Sequence, residues 1–226
     1  MNLDISKNIE NVKNNIISAC RRASRDPDEI RIIAASKYAD FNILKEAYKF
    51  GINEFGENKA DDLIIKRNLI NEDVVWHFIG HLQSNKIKKV VPVVEYIHSI
   101  DSIETLKKVD SFASGILKKQ KVLLEVNVSF EKSKFGLDPA ECKEFIGQAL
   151  KFKNIKICGL MTMAPLTDNI KTIREVFSGL KNIRNDMNNN FSGLEMKELS
   201  MGMTNDYEIA IEEGATMLRI GSAIFQ

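Results

Sequence analysis

The chain has 226 residues, of which 44% are hydrophobic and 28% charged, with a net charge of +1. This length and apolar content suit one large core, and the charge balance argues against a dedicated nucleic-acid surface. Three widely spaced cysteines, Cys20, Cys142 and Cys158, make no CxxC pair and no disulfide framework, which suits a reducing compartment.

Met1 to Glu10 is polar and carries no apolar signal core, and no apolar run reaches the length of a bilayer span. A cytoplasmic protein is therefore expected. Residues 3–24 read as a helix, because Ile5, Ile9, Val12, Ile16, Ile17 and Cys20 form one apolar stripe. Arg25-Asp26-Pro27-Asp28 breaks it. A strand over 30–35 follows, and a short helix over 41–50 with Leu44 and Ala47 inward.

The alternation then repeats. Ile52–Phe55 reads as a strand and is followed by a helix to about Lys66. Val74–Ile79 is a strand, then a helix runs from Ser84 to about Val90. Tyr96–Ile100 is a strand, after which Asp101 is expected to cap a helix with Glu104 as the reciprocal partner. Lys121–Val128 is the strongest strand by composition. Asp138-Pro139-Ala140-Glu141 opens another helix, with proline at its first position. Lys156–Met161 is a strand, followed by a long helix. Asn185 to Ser192, rich in asparagine, reads as a surface loop. Glu198–Met201 is a strand, 206–213 a helix and Thr216–Ile220 a last strand.

Strands alternating with helices, without hairpin signals, argue for a parallel sheet. Eight such units predict a closed (β/α)₈ TIM barrel forming one domain over 1–226. The chain leaves no room for a full eighth helix after the last strand, so the N-terminal helix is expected to cover that flank.

In such a barrel the chemistry gathers at the carboxyl ends of the strands. Ala35-Ser36-Lys37 stands there on the first strand. A lysine at this position either snorkels to solvent or offers an amine for a Schiff base with an aldehyde. Further polar residues at strand ends are Asn58, His77 and His81, Ser99, Asn127 and Thr162. Ser200-Met201-Gly202-Met203-Thr204 and Arg219-Ile220-Gly221-Ser222 end the last two strands. Their glycines and hydroxyls suit a phosphate, although Asn205 with Glu208 also fits plain helix capping. Arg219 is either an outer-face residue or a cation in the barrel mouth. There it would discourage protonation of a ring nitrogen.

His77 and His81 lack a helical context and a third ligand, so no metal site is assigned. Glu54, Glu57 and Asp206 show no glycosidase spacing. Cys158 reads as core. Lys86, Lys88 and Lys89, with Lys118, Lys119 and Lys121, read as solvated faces.

Several stretches together resemble the pyridoxal 5'-phosphate homeostasis proteins, whose barrel is like the N-terminal domain of alanine racemase. They are Ala35-Ser36-Lys37, Phe55-Gly56-Glu57-Asn58, Trp76-His77-Phe78-Ile79-Gly80-His81-Leu82-Gln83 and Lys134-Phe135-Gly136. Gly159-Leu160-Met161-Thr162-Met163, Leu199-Ser200-Met201-Gly202-Met203 and Arg219-Ile220-Gly221 complete the set.

The resemblance implies that pyridoxal 5'-phosphate is the cofactor and that Lys37 is its Schiff-base lysine. It implies a phosphate held by Ser200, Gly221 and Ser222 with Met201 and Thr204 nearby, Arg219 near the pyridine nitrogen, and Asn58 near the ring substituents. The family often has serine where Thr204 stands. The implied role is cofactor homeostasis or delivery, in a monomer, with apo forms of pyridoxal-phosphate enzymes as recipients and no catalytic residue assigned. The alternative is an amino-acid racemase of low activity using Lys37 as a base. Racemases of this fold carry a second, β-rich domain that supplies an opposing base, for which this sequence leaves no room.

Overall fold

A computed structural model describes residues 4–37, 39–70, 72–131 and 134–226. Leu3, the expected first residue of the N-terminal helix, and Tyr38, beside the strand-one lysine, lie outside them.

Among the described residues, eight strands close into one parallel barrel in sequence order. They are β1 (Arg31–Ala35), β2 (Glu54–Glu57), β3 (Val75–Phe78), β4 (Tyr96–Ile100), β5 (Gln120–Glu125), β6 (Ile155–Met161), β7 (Glu198–Ser200) and β8 (Met217–Ile220). The helices are α1 (Ile5–Arg22), α2 (Phe41–Lys49), α3 (Ala60–Leu69), α4 (Ile87–Val90), α5 (Ile103–Gly115), α6 (Cys142–Ala149), α7 (Ile170–Asn190), α8 (Tyr207–Glu212) and α9 (Ser222–Phe225). The (β/α)₈ expectation holds. No helix among the described residues is long and apolar enough to cross a membrane.

The period-two alternation of strand side chains divides the core into two shells. The outward set, including Ala34, Phe55, Ile97, Val122, Leu124, Leu218 and Ile220, packs under the helices. The inward set combines Ile33, Tyr96, Leu123, Cys158, Met161 and Met217 with buried polar groups: His77, His98, Ser200 and Arg219. The barrel therefore encloses an unusual amount of hydrogen-bonding capacity, and all of it has to be satisfied within the core.

The seam joins the first strand to the last, with Ile33 beside Arg219 and Ala34 beside Ile220. α1 covers this flank. Its stripe of Ile5, Ile9, Val12, Ile16, Ala19 and Cys20 is buried. Asn15 Nδ2 donates to the Tyr207 hydroxyl at 3.0 Å, and Arg22 pairs with Glu208 and Glu212.

Four local expectations are corrected. The cap of α5 is Ser102, whose hydroxyl accepts from the Thr105 amide, and not Asp101; Asp101 instead lies 3.6 Å from His81. β2 starts and ends two residues later than expected, and β5 ends at Glu125. The asparagine-rich stretch is helical as far as Asn190. Tertiary contacts override its weak helix propensity there: Met187 is buried, and Asn188 both donates to the Met196 carbonyl and accepts from its amide.

Candidate functional site

A cavity of about 660 Å³ opens at the carboxyl ends of β1, β6, β7 and β8, within the size range of small-molecule sites. Lys37, Thr204, Arg219, Gly221 and Ser222 all line it, together with Ala35, Met203, Asp206 and the 164–168 loop. Chain topology brings them together. Lys37 follows β1, Arg219 lies in β8 with Gly221 and Ser222 just after it, and these strands are hydrogen-bonded neighbours.

The end of β1 is anchored from below. Ser36 is fully buried, and its hydroxyl donates to Glu57 Oε1 at 2.6 Å. Lys66 of α3 donates to the same carboxylate at 2.5 Å and to the Ser36 carbonyl at 2.6 Å. The peptide before Lys37 is thereby tied to a buried ion pair. Lys66 escaped the sequence reading because an interior-facing lysine near the end of a helix looks like any solvated one.

The facing wall is built from two crossing turns. Thr204 Oγ1 accepts from the Ser222 hydroxyl at 3.1 Å and from the Ala223 amide at 3.2 Å. Asp206 Oδ1 accepts from the Met203 amide at 2.6 Å, and its burial raises its pKa against the pull of that bond and of Arg219. The turn requires Gly202, which has φ +91° and sits where a Cβ would come within 2.6 Å of Ala210 Cβ.

Arg219 forms the floor. It is 4% exposed, with Nη1 donating to Ser200 Oγ at 2.6 Å and Nη2 to the Thr162 carbonyl at 2.9 Å. Burial lowers its pKa to about 10, opposed by Glu125 and Asp206. It is thus an interior cation and not an outer-face residue.

The remaining expected residues lie outside the cavity lining. Ser200 is fully buried behind Arg219, accepting its hydrogen bond. Met201 is buried, its amide bonded to the Met217 carbonyl. Asn58 is exposed beyond β2. The two strand-three histidines separate. His77 is buried inside the barrel, whereas His81 is at the surface, stacked on Phe135 with centroids 4.1 Å apart.

Two groups went unread in the sequence. His98 lies inside the barrel between His77 and Ser200. Glu125, 4% exposed at the end of β5, has its pKa raised to about 7 by burial and by Asp101. The available signal was alternation, since Tyr96 and His98 share one face of β4, as Leu123 and Glu125 share one face of β5.

The chain as a whole is similar in sequence and fold to several known proteins. Residues 8–226 match the family model for the alanine racemase N-terminal domain. The pyridoxal phosphate homeostasis protein of Aquifex aeolicus is 35% identical over 226 residues, covering 99% of this chain and 98% of that one. The protein of the same name from Synechocystis is 39% identical over 201 residues, covering 88% and 92%.

Among solved structures, PipY of Synechococcus elongatus with pyridoxal phosphate bound superposes with a TM-score of 0.88 at 30% identity, covering 99% of this chain and all of that one. An alanine racemase from Clostridium difficile shares the fold, with a TM-score of 0.81 at 14% identity; this chain covers 56% of it. On this evidence of sequence and fold, the chain belongs to the pyridoxal phosphate homeostasis protein family.

Proposed function

We propose that this protein binds pyridoxal 5'-phosphate in the cavity beside Lys37 and serves its intracellular homeostasis or delivery without a robust turnover reaction. The observation that carries the reading is that Lys37 and the turns at 203–206 and 219–222 line one cavity. The bound cofactor would supply an aldehyde that exchanges reversibly between amines as a Schiff base. Lys37 is the amine offered to it, at the end of a strand held by Glu57 and Lys66.

The residues suit the group. Thr204, Ser222 and the Gly221 backbone offer a small, polar corner for a phosphate. Arg219 offers a fixed cation to the ring nitrogen, which it keeps unprotonated by like charge. Ser200 and Met201 act from behind the lining, Ser200 by holding Arg219 and Met201 as part of the buried core next to the turn. The family resemblance would put Asn58, just past the end of β2 and outside the lining, near the ring substituents. Recipients would be apo forms of pyridoxal-phosphate enzymes, and the proposed form is a cytoplasmic monomer.

Racemisation would need a second base across the cavity from Lys37. Among the described residues, the other titratable side chains lining it are Asp168, Asp206 and Arg219. Asp168 is an exposed rim residue, Asp206 is engaged with the Met203 amide, and a guanidinium is a poor base. This favours holding the cofactor over turnover.

Borohydride treatment of the cofactor-loaded protein, followed by peptide mapping, should place the reduced adduct on Lys37. Wild-type absorbance in Lys37→Ala would refute that assignment. Lys37-dependent exchange of the α-proton of L-alanine in deuterated water, at a substantial rate, would overturn the non-catalytic reading.

A further inference from the structure

The cavity floor is one end of a hydrogen-bonded line through the barrel. Arg219 Nη1 meets Ser200 Oγ at 2.6 Å, and Ser200 Oγ meets His98 Nδ1 at 2.9 Å. His98 Nε2 meets His77 Nδ1 at 2.9 Å, and His77 Nε2 meets Glu54 Oε2 at 2.9 Å. Arg31 closes the line, donating through Nε and Nη2 to the two Glu54 oxygens at 2.9 and 2.7 Å. Ser200, His77 and His98 are fully buried. Arg31 and Glu54 border a second opening, at the amino end of the strands.

Both ends of this line have fixed chemistry. A guanidinium only donates, and an ionised carboxylate only accepts. Arg31 and His77 hold Glu54 ionised, drawing its pKa down against the effect of burial. Working inward from Glu54, His77 must carry its proton on Nε2 to face a carboxylate. Its Nδ1 is then an acceptor, so His98 must carry its proton on Nε2. His98 Nδ1 is then an acceptor, so the Ser200 hydroxyl must donate to it. That leaves the Ser200 oxygen to accept from Arg219.

In this arrangement every hydrogen has one acceptor, and both imidazoles are neutral. Burial acts in the same direction, lowering the pKa of His77 and lowering that of His98 further still. In the opposite arrangement, a His77 lone pair would face the Glu54 carboxylate, and the Ser200 hydrogen would be buried without an acceptor. Each such fault leaves a buried polar group unsatisfied, which the first arrangement avoids.

We infer that Glu54, at the far end of the barrel from the cavity, sets the hydrogen-bond direction of this line and so, through His77, His98 and Ser200, fixes the orientation in which Arg219 meets the cofactor ring. Glu54, His77 and His98 are positioning residues for the site, and this inference rests on the function proposed above. The line explains why the barrel interior holds two histidines among apolar side chains. They pass one direction of donation from a carboxylate to a guanidinium without adding a charge of their own.

The chain has three histidines, so ¹⁵N-histidine spectra of the cofactor-free protein can test the line directly. His81, at the surface, is distinguished from the two buried rings by the solvent exchange of its ring proton. His77 and His98 should both appear neutral with the proton on Nε2, through neutral pH. A proton on Nδ1 of either, or an imidazolium, would overturn the inference, and this reading requires no variant to fold.

Glu54→Leu removes both acceptors, so the His77 proton loses its fixed place on Nε2 and a population with a proton on Nδ1 of at least one ring should appear. It should also shift the absorbance maximum of the pyridoxal-phosphate-loaded protein. Unchanged tautomers in Glu54→Leu, or moved tautomers with an unshifted maximum, would overturn the link to Arg219. A wild-type protein that takes up no pyridoxal phosphate would sink the functional reading instead, while the histidine tautomers would still decide the line.

Discussion

Lys66 reaches from α3 to the buried carboxylate of Glu57 at 2.5 Å and, in the same position, to the carbonyl of Ser36 at 2.6 Å. Glu57 is fully buried and the Lys66 side chain is 13% exposed. The strand end that presents Lys37 is therefore held by an ion pair with little access to water.

Removing one partner of such a pair leaves the other charge uncompensated. Lys66→Met should destabilise the protein by about 3–5 kcal/mol, and adding Glu57→Gln should recover much of that loss. Urea unfolding of the single and double variants measures both. A Lys66→Met loss below 1 kcal/mol (roughly the value of a surface pair) would show that the pair is not effectively buried.

Glu125 gives a pH dependence of known sign. Its folded-state pKa is raised to about 7 from an ordinary 4.5, by burial first and Asp101 second. Between those values the folded chain binds more protons than the unfolded chain. Stability from this group is therefore complete below about pH 4.5 and is lost as the pH rises through 7. Glu125→Gln should flatten that slope and raise the stability of cofactor-free protein at pH 8, by on the order of 2–3 kcal/mol. Parallel pH–stability curves for the two proteins would rule this out.

The hydroxyl pair of Thr204 and Ser222 gives a prediction about the ligand. Thr204→Val and Ser222→Ala should each weaken pyridoxal 5'-phosphate binding about tenfold, or ~1.4 kcal/mol. Binding of pyridoxal, which has no phosphate, should change little. Equal losses for both ligands in fluorescence titration would remove the phosphate from this corner.

α1 should behave as part of the core. Ile9 is 2% exposed in its buried stripe, so Ile9→Ala should cost about 2–5 kcal/mol. A melting temperature within 1 °C of wild type, measured by calorimetry, would mean that the helix is detached in solution.

The parts of the molecule that were legible in the sequence are those governed by local pattern. Continuous apolar runs marked the strands, and Lys37 and the glycine turns stood at their carboxyl ends. What escaped depends on partners distant in the chain. The helical state of Asn185 to Asn190 relies on Asn188 clasping Met196. Ser102 and Asp101 are equally good caps on paper, and the strand end decides between them. His98 and Glu54 look like ordinary polar residues until barrel closure sets them in one line with Arg219. Ser200 was read as a phosphate ligand because a hydroxyl at a strand end looks the same whether it faces the cavity or the interior.

The cavity straddles the seam between the first strand and the last. Lys37 belongs to one side, and Arg219, Gly221 and Ser222 belong to the other. The pocket cannot form until the last strand of the barrel has been made and has paired with the first. Any ligand held there ties the first barrel strand to the last, so it should slow fraying of the joint at which a barrel of this kind comes apart.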